Sequence, residues 1–184
     1  MAPVHEIVTR RLRLRPLLAE DLAAFVAYRS DAEVARYQSW DTTCSMADAQ
    51  RLLTAQRGVE WGAAGQWVQL AAIDLIEGGL CGDCAVRVAE DQPATAEIGV
   101  TFAPSHQGFG LATEALAAVI AKLFSEHAIH RVYAQADDRN AAVHRLLDRL
   151  GFRCEARLIE ADWFKGEWST LRIFALLRRE WGPA

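Results

Sequence analysis

The feature that most constrains the fold is a segment with two closely spaced glycines, Pro104-Ser-His-Gln-Gly-Phe-Gly-Leu-Ala-Thr-Glu-Ala115. A strand pattern precedes it and a long helical stripe of apolar residues follows it. Gly108 and Gly110 allow unusual dihedrals and close approach of a ligand to the main chain. Ser, Asp and Asn are absent from positions 106–112, so no such side chain caps the helix. Its first N–H groups therefore suit an external anion such as a pyrophosphate.

Other phosphate motifs fit this segment less well. A dinucleotide-binding fingerprint needs a third glycine where the chain has Thr113, and more strand–helix units than the remaining chain supplies. A P-loop needs a lysine after the second glycine, and none is present. An ordinary glycine turn that opens a packed helix stays an alternative on this feature alone.

Periodicity along the rest of the chain predicts a mixture of strands and helices. Strands are expected at 9–15, 66–73, 80–88, 95–102, 131–136, 152–159 and 168–177, with a turn at 162–167. Helices are expected at 20–30, after a Ser45 cap, at 108–125 and at 140–150. Short connections between the three central strands indicate an antiparallel meander. We therefore expect an α+β fold with a mixed sheet, forming a single domain over residues 1–184.

Composition narrows the classes of function. The chain has 184 residues, 52% of them hydrophobic, with 20 Lys+Arg against 24 Asp+Glu and a net charge of −4. That charge argues against a nucleic-acid binder. No apolar run is long enough to cross a membrane, and the segment from Met1 to Arg15 has no signal-peptide core. We expect a cytoplasmic protein without a membrane partner.

The cysteines do not indicate a metal or redox centre. Cys81 and Cys84 form one CxxC without a second pair, and they lie on a predicted strand, where positions three apart face opposite sides. Reduced cysteines packed as small apolar side chains are the expectation, with no metal site.

Several short motifs occur in one order along the chain. Thr9-x-Arg11-Leu-x-Leu-Arg15 and Asp21 come first, followed by Gln107-x-x-Gly110-x-Ala112 with its Ala-Thr-Glu-Ala-Leu continuation, then Asn140 and Leu150-Gly-Phe152. Over roughly residues 9–178 the chain resembles the GNAT superfamily of N-acetyltransferases. The N-terminal pattern is similar to its ribosomal-protein-alanine acetyltransferase branch.

This resemblance implies a V-splayed, mostly antiparallel sheet with acetyl-CoA between two parting strands. Backbone groups of Val100, Thr101 and Phe102 would pair with the pantetheine arm, and an N–H there would polarise the thioester carbonyl. Asn140 would hydrogen-bond the pantetheine, although it also suits a helix N-cap. The residues implied in pyrophosphate binding are Gln107, Gly108, Gly110, Leu111, Ala112 and Thr113.

Candidate catalytic groups are few. Glu97 lies on the strand that leads into the glycine segment, ten residues before Gln107, and is our candidate base. The alternative is that Glu97 is an ordinary salt-bridged carboxylate without a catalytic role. The family's usual acids are missing, because Val143 and Leu147 occupy those positions. His144 neighbours them, and a histidine can carry a proton at neutral pH, so it is a candidate proton shuttle. A histidine on a helix face also commonly just faces solvent.

The acceptor end should be formed by the loop between the first helices and by the last hairpin. Aromatic and acidic side chains there suit a cationic amine, although hairpin packing explains them equally. The candidates are Tyr37, Trp40, Asp41, Glu160, Asp162 and Trp163, and the same segments carry Phe164 and Trp168, the latter better explained by packing. Glu160 or Asp162 would be a rival base if the hairpin covers the thioester.

We therefore expect an acetyl-CoA-dependent N-acetyltransferase that acts by direct attack in a ternary complex, without a metal. The acceptor would be a peptide N-terminal α-amine or a small amine, and a homodimer is compatible with the family. A catalytically weak acyl-CoA sensor of the same fold is the alternative, motivated by Val143 and Leu147.

Overall fold

A computed structural model describes residues 6–92 and 94–182. The segment 1–5, which begins the N-terminal stretch without a signal pattern, lies outside the described residues, as do Pro93 and residues 183–184. The strands are β1 (Ile7–Val8), β2 (Leu12–Pro16), β3 (Trp67–Asp74), β4 (Leu80–Val88), β5 (Thr95–Phe102), β6 (Arg131–Asp137), β7 (Arg153–Phe164) and β8 (Glu167–Leu177). The helices are α1 (Leu22–Arg29), α2 (Ala32–Ala35), α3 (Met46–Ala55), α4 (Leu111–Glu126) and α5 (Ala141–Arg149), with 3₁₀ turns at Ala19–Asp21, Pro104–His106 and Arg178–Glu180.

Within the described ranges, the strands form one sheet in the order β1-β2-β3-β4-β5-β6-β8-β7. All neighbouring pairs are antiparallel except β5 and β6, which are parallel. The expected α+β class with a mixed, mostly antiparallel sheet is therefore confirmed.

Helices cover both faces of the sheet because alternate strand residues are apolar on each side. On one face α4 packs Leu116, Val119 and Ile120 against Leu70 and Val86 in the larger core. On the other face α1 and α3 enclose a smaller core, with Phe25 and Tyr28 packed near Ala71. Apolar burial on both faces fixes the strand register, since a one-residue slip would expose it.

The predicted elements agree closely with the structure in the middle of the chain. The strands Leu80–Val88 and Thr95–Phe102 match residue for residue, and Ser45 caps α3 with Asp48 in a reciprocal capping box. The short elements β1 and α2 were not predicted, since two and four residues are too few to show a period.

The end of the chain needs a correction. The predicted turn at 162–167 lies at the right place but is too long, because β7 continues to Phe164 after an irregularity between Leu158 and Asp162. The turn consists of Lys165 and Gly166, both with positive φ. A bulge interrupts the period-two pattern on which the prediction depended.

Cys81 and Cys84 are free and fully buried, as expected. The prediction that they face opposite sides of the strand is wrong, since both pack in the larger core. The strand register shifts at this point, with Gly82 opposite Ala72 but Leu80 opposite Ile73. Burial raises the pKa of the Cys81 thiol to about 12, so it is not a reactive thiolate at neutral pH.

Among the described helices, none combines the length and apolar character needed to cross a membrane.

Candidate active site

The site begins where two parallel strands separate. Three residue pairs join β5 to β6, the last being Glu97 with Tyr133. Beyond that pair β6 keeps its register with β8, from Ala134 opposite Phe174 to Asp137 opposite Leu171. Residues 98–102 of β5 stay paired only with β4 among the described strands. The edge of β5 that faces β6 is therefore open, and a cleft of about 830 Å³ lies there.

The glycine turn, residues 107–110, lies at the end of β5 and lines this cleft. Gly108 has a φ of 84° and Gly110 a φ of 78°, which is the left-handed region that favours glycine. Gln107 donates from Nε2 to the Phe102 carbonyl at 2.9 Å, which ties the turn to the strand. No side chain caps α4 at Gly110. The first N–H groups of α4, at Leu111, Ala112 and Thr113, therefore suit an anion in the cleft.

Three side chains that do not line the cleft form a hydrogen-bonded cluster beside the glycine turn. We call this cluster of Thr9, Arg11 and Glu114 the clamp. Glu114 accepts hydrogen bonds from the Thr9 hydroxyl at 2.6 Å, the Arg11 main-chain N–H at 2.8 Å and Arg11 Nε at 2.7 Å. Arg11 also donates from Nη1 to the Phe109 carbonyl at 2.9 Å. Burial opposes ionisation of Glu114, but the bonds from Thr9 and Arg11 outweigh it and lower the pKa. Both motifs were visible in the sequence, but their contact was not.

One wall of the cleft is α5. Asn140 caps this helix, accepting from the Val143 N–H at 3.2 Å, and it also lines the cleft. Val143 and Leu147 line the same wall as apolar side chains. The prediction that both positions belong to the apolar core is therefore confirmed. Neither side chain offers a proton donor.

Two cationic groups on the same helix were missed by the sequence analysis. Arg145 and Arg149 are exposed, lie one helical turn apart and line the cleft. No salt bridge joins either guanidinium to another described residue. Helical spacing could have identified them, because they flank the apolar stripe.

Glu97 lies where the two strands part, and its carboxylate is held by several donors. Arg87 forms a salt bridge with Oε2, Tyr133 donates its hydroxyl to Oε2 at 3.1 Å, and Gln135 donates to Oε1 at 3.4 Å. The hydrogen bond to Glu97 raises the pKa of Arg87. Burial, followed by the nearby Glu97 charge, raises the pKa of Tyr133. Glu97 thus lines the cleft within a polar network, and its role as base stays a prediction.

His144 is not among the residues that line the cleft, although it contacts one of them. Its Nε2 contacts the Asp137 carbonyl at 3.1 Å, and its ring packs on Phe174 with centroids 5.1 Å apart. The neighbouring Val143 and Arg145 line the cleft instead. A role of His144 as a proton shuttle therefore stays a prediction.

The acceptor candidates divide into two groups. Tyr37 and Asp162 line the cleft. Trp40 and Asp41 line a separate depression of about 310 Å³, where the Trp40 ring stacks on Arg29 at 3.8 Å. Their placement there does not support direct contact with a ligand in the cleft.

The other acceptor candidates lie on the outer part of the last hairpin. Trp163 is 61% exposed and packs edge-on against Trp168, with centroids 5.3 Å apart. Glu160 has a φ of 45° at the irregular part of β7, and its N–H donates to the Thr170 hydroxyl. Alternation along β7 directs Asp162 and Phe164 into the cleft and Trp163 away from it.

Sequence reasoning missed further residues at this end. The structure adds acidic, amide and hydroxyl side chains from α2, the α2–α3 loop and the hairpin, namely Glu33, Gln38, Ser39 and Ser169. Loops carry no periodic signal, so no pattern in the sequence distinguished Gln38 and Ser39 from their neighbours. Within the described chain, no cluster of three or more His, Cys, Asp or Glu suits a metal ion.

The splayed sheet with a glycine turn at its open end matches the acyl-CoA acyltransferase fold that the sequence resemblance implies. Residues 11–153 match the acetyltransferase (GNAT) domain. The chain is 27% identical over 178 residues to the uncharacterized N-acetyltransferase p20 of Bacillus licheniformis, covering 97% of this chain and 99% of the relative.

Solved structures agree in fold. A GNAT-family acetyltransferase from Bacillus anthracis superposes with a TM-score of 0.84 at 24% identity, covering 96% of this chain and 100% of that one. RimJ of Mycobacterium smegmatis, solved with CoA-disulfide, gives 0.81 at 21% identity, with 98% and 90% coverage. The chain therefore belongs to the GNAT family and is an N-acetyltransferase.

Proposed function

We propose that this enzyme transfers the acetyl group of acetyl-CoA to a primary amine, by direct attack in a ternary complex. The observation that carries the proposal is the separation of β5 and β6 after Glu97 and Tyr133, with the uncapped start of α4 at the open end. An extended thioester carrier with a diphosphate matches both parts of this cleft.

The described residues offer partners for the pantetheine arm and for the phosphates of CoA. Main-chain groups of Val100, Thr101 and Phe102 lie on the open edge of β5, where a pantetheine arm can pair like a strand. The glycine turn and the first N–H groups of α4 suit the pyrophosphate. Arg145 and Arg149 suit further phosphate oxygens. RimJ and a Vibrio cholerae spermidine N-acetyltransferase were both solved with CoA or its disulfide, which supports this assignment.

Acetyl transfer requires a neutral amine. An α-amine is about 10–15% neutral at pH 7, whereas a lysine side chain is only about 0.04% neutral. Glu97 is the carboxylate that lines the cleft where β5 and β6 separate, and it is our proposed base. A main-chain N–H of β5 would stabilise the developing negative charge on the thioester oxygen.

The acceptor would enter from the opposite end, between the α2–α3 loop and the last hairpin. Tyr37 supplies an aromatic face and Asp162 a carboxylate, which suit an approaching ammonium group. We propose a peptide N-terminal α-amine or a small amine as the acceptor. A spermidine N-acetyltransferase among the structural neighbours, solved with spermine, supports the small-amine choice.

A direct test combines binding and turnover. CoA affinity would be measured by calorimetry, and transfer by thiol release and mass spectrometry. The acceptors would be a peptide with a free N-terminus, a peptide with only a lysine amine, and spermidine. Acceptor-dependent release of CoA with one acetyl group added to the acceptor is the expected result.

The sensor alternative has a specific observation in its favour, since Val143 and Leu147 place no proton donor beside the thioester end. Tight CoA binding without transfer to any amine in the panel would favour the sensor. Absence of CoA binding would exclude both functions.

A further inference from the structure

A lysine at the tip of the last hairpin contacts the end of α2 and the α2–α3 loop. The two-residue turn between β7 and β8 consists of Lys165 and Gly166, with φ values of 51° and 86°. Two successive residues with positive φ form the tight hairpin turn whose twist matches that of the strands. This turn directs the Lys165 side chain away from the hairpin, towards residues 35–41.

The Lys165 ammonium finds three acceptors in that segment. Nζ donates to the Ala35 carbonyl at 2.6 Å and to the Trp40 carbonyl at 2.7 Å, and it lies 3.5 Å from Asp41 Oδ1. Two of the three ammonium donors therefore bind main-chain carbonyls, and the Asp41 carboxylate adds an ion pair. The side chain is 27% exposed, which limits screening of these bonds by solvent.

The two segments that Lys165 joins form the acceptor end of the cleft. Val34, Tyr37 and Gln38 line it from one side. Asp162 and Phe164 line it from the hairpin. The position of one set relative to the other therefore depends on how the hairpin tip is held.

A second, more exposed contact at the hairpin tip is a salt bridge to the segment before α5. Arg139 forms a salt bridge with Glu167 at 2.6 Å, and the side chains are 49% and 59% exposed. Exposed pairs of this kind contribute little to stability. Lys165, bonded to main-chain carbonyls, is the stronger restraint of the two.

We propose that Lys165 is a positioning residue that sets the acceptor end of the active-site cleft by fastening the hairpin tip to residues 35–41. The inference rests on the proposed acetyl transfer for its catalytic consequence. Its structural content, the restraint on residues 35–41, is independent of that function.

The test compares Lys165→Met with Lys122→Met, the only other lysine in the sequence. Lys122 lies on α4 in a salt bridge with Glu126, so it provides a matched loss of one ammonium group. Methionine keeps an unbranched side chain at the positive-φ position, so the turn bears a similar backbone cost to that of lysine. Lys165→Arg restores a charged donor and serves as the rescue variant.

Three measurements are made on each variant. For Lys165→Met, we expect amide hydrogen exchange in residues 36–45 to accelerate by about tenfold or more, while CoA affinity stays at the wild-type value. The acceptor KM should rise about tenfold with a smaller change in kcat, because substrate positioning is lost. Lys122→Met should change none of these quantities, and Lys165→Arg should recover part of the loss.

Wild-type exchange in residues 36–45 of Lys165→Met would overturn the proposal. A lowered melting temperature with unchanged exchange and acceptor KM would also overturn it, since that is a purely structural role. If the wild-type enzyme acetylates no amine in the panel, the proposed function fails, and hydrogen exchange alone then decides whether Lys165 restrains the loop.

Discussion

Arg11 and Glu114 are far apart in sequence, yet Arg11 Nε lies 2.7 Å from Glu114 Oε2. The same guanidinium reaches the Phe109 carbonyl inside the glycine turn. Arg11 precedes β2 and Glu114 belongs to the first turn of α4, so the pair connects one edge of the sheet to the proposed diphosphate site. The shape of that site therefore depends on residues that do not line the cleft.

Loss of this contact should weaken CoA binding. Glu114→Gln removes the charge from the clamp, and we expect a stability loss of about 1–2 kcal/mol, because bonds to charged groups are stronger than neutral ones. CoA affinity should fall about tenfold, as measured by calorimetry. Wild-type affinity in a folded variant would show that the clamp does not shape the loop.

The same clamp gives a pH dependence with a definite sign. The folded-state pKa of Glu114 is lowered, because hydrogen bonds from Thr9 and Arg11 outweigh the effect of burial. Its stabilisation is therefore present above the unfolded pKa of about 4.3 and is lost as pH falls through the lower folded value. Melting temperatures between pH 6 and about 3 should drop more steeply for wild type than for Glu114→Gln. Parallel curves would contradict this prediction.

Gly110→Val should remove CoA binding without preventing folding. The variant places a β-branched residue at a φ of 78°, beside the proposed diphosphate site. Gly78→Val is the matched control, because Gly78 has a φ of 77° in the β3–β4 turn and no heavy atom lies within 4 Å of where its Cβ would stand. Both variants should lose about 1–2 kcal/mol of stability, but only Gly110→Val should weaken CoA binding, by about 100-fold or more. Equal CoA affinities of the Gly110→Val and Gly78→Val variants would show that the glycine turn does not contact CoA.

Arg145 and Arg149 should bind CoA phosphates jointly. We expect Arg145→Gln to weaken CoA binding about fivefold and the double variant about 30-fold, with a weaker dependence on salt. Arg57→Gln, an exposed arginine that does not line the cleft, is the control. An unchanged salt dependence in the double variant would place these cations outside the phosphate contacts.

Glu97→Gln tests the proposed base. Glutamine keeps an oxygen that can accept from Arg87 and Tyr133, so the network stays largely intact. At pH 7 the rate with a lysine amine should fall about 100-fold and the rate with an α-amine about tenfold, because the α-amine is more often neutral. Equal losses for both acceptors would leave Glu97 with a structural role.

Local features of the site were readable from the chain itself. The strand leading to Phe102, the glycines of the turn and the Asn140 cap each depend on near neighbours, so their short-range patterns predicted them. Their order also carried the family resemblance. The bulge at Leu158–Asp162 was not predicted, because an inserted residue breaks the alternation on which strand prediction relies.

The class of fold and the glycine turn could be predicted from the amino-acid order, because local dihedral preferences and apolar periodicity are properties of neighbouring residues. Which side chains share the cleft became visible only in the folded chain. Folding brought Tyr37 and Asp162 together, turned Trp163 outwards and placed His144 elsewhere. Those outcomes depend on contacts between segments that are far apart in the chain, and such contacts leave no periodic trace in a single sequence.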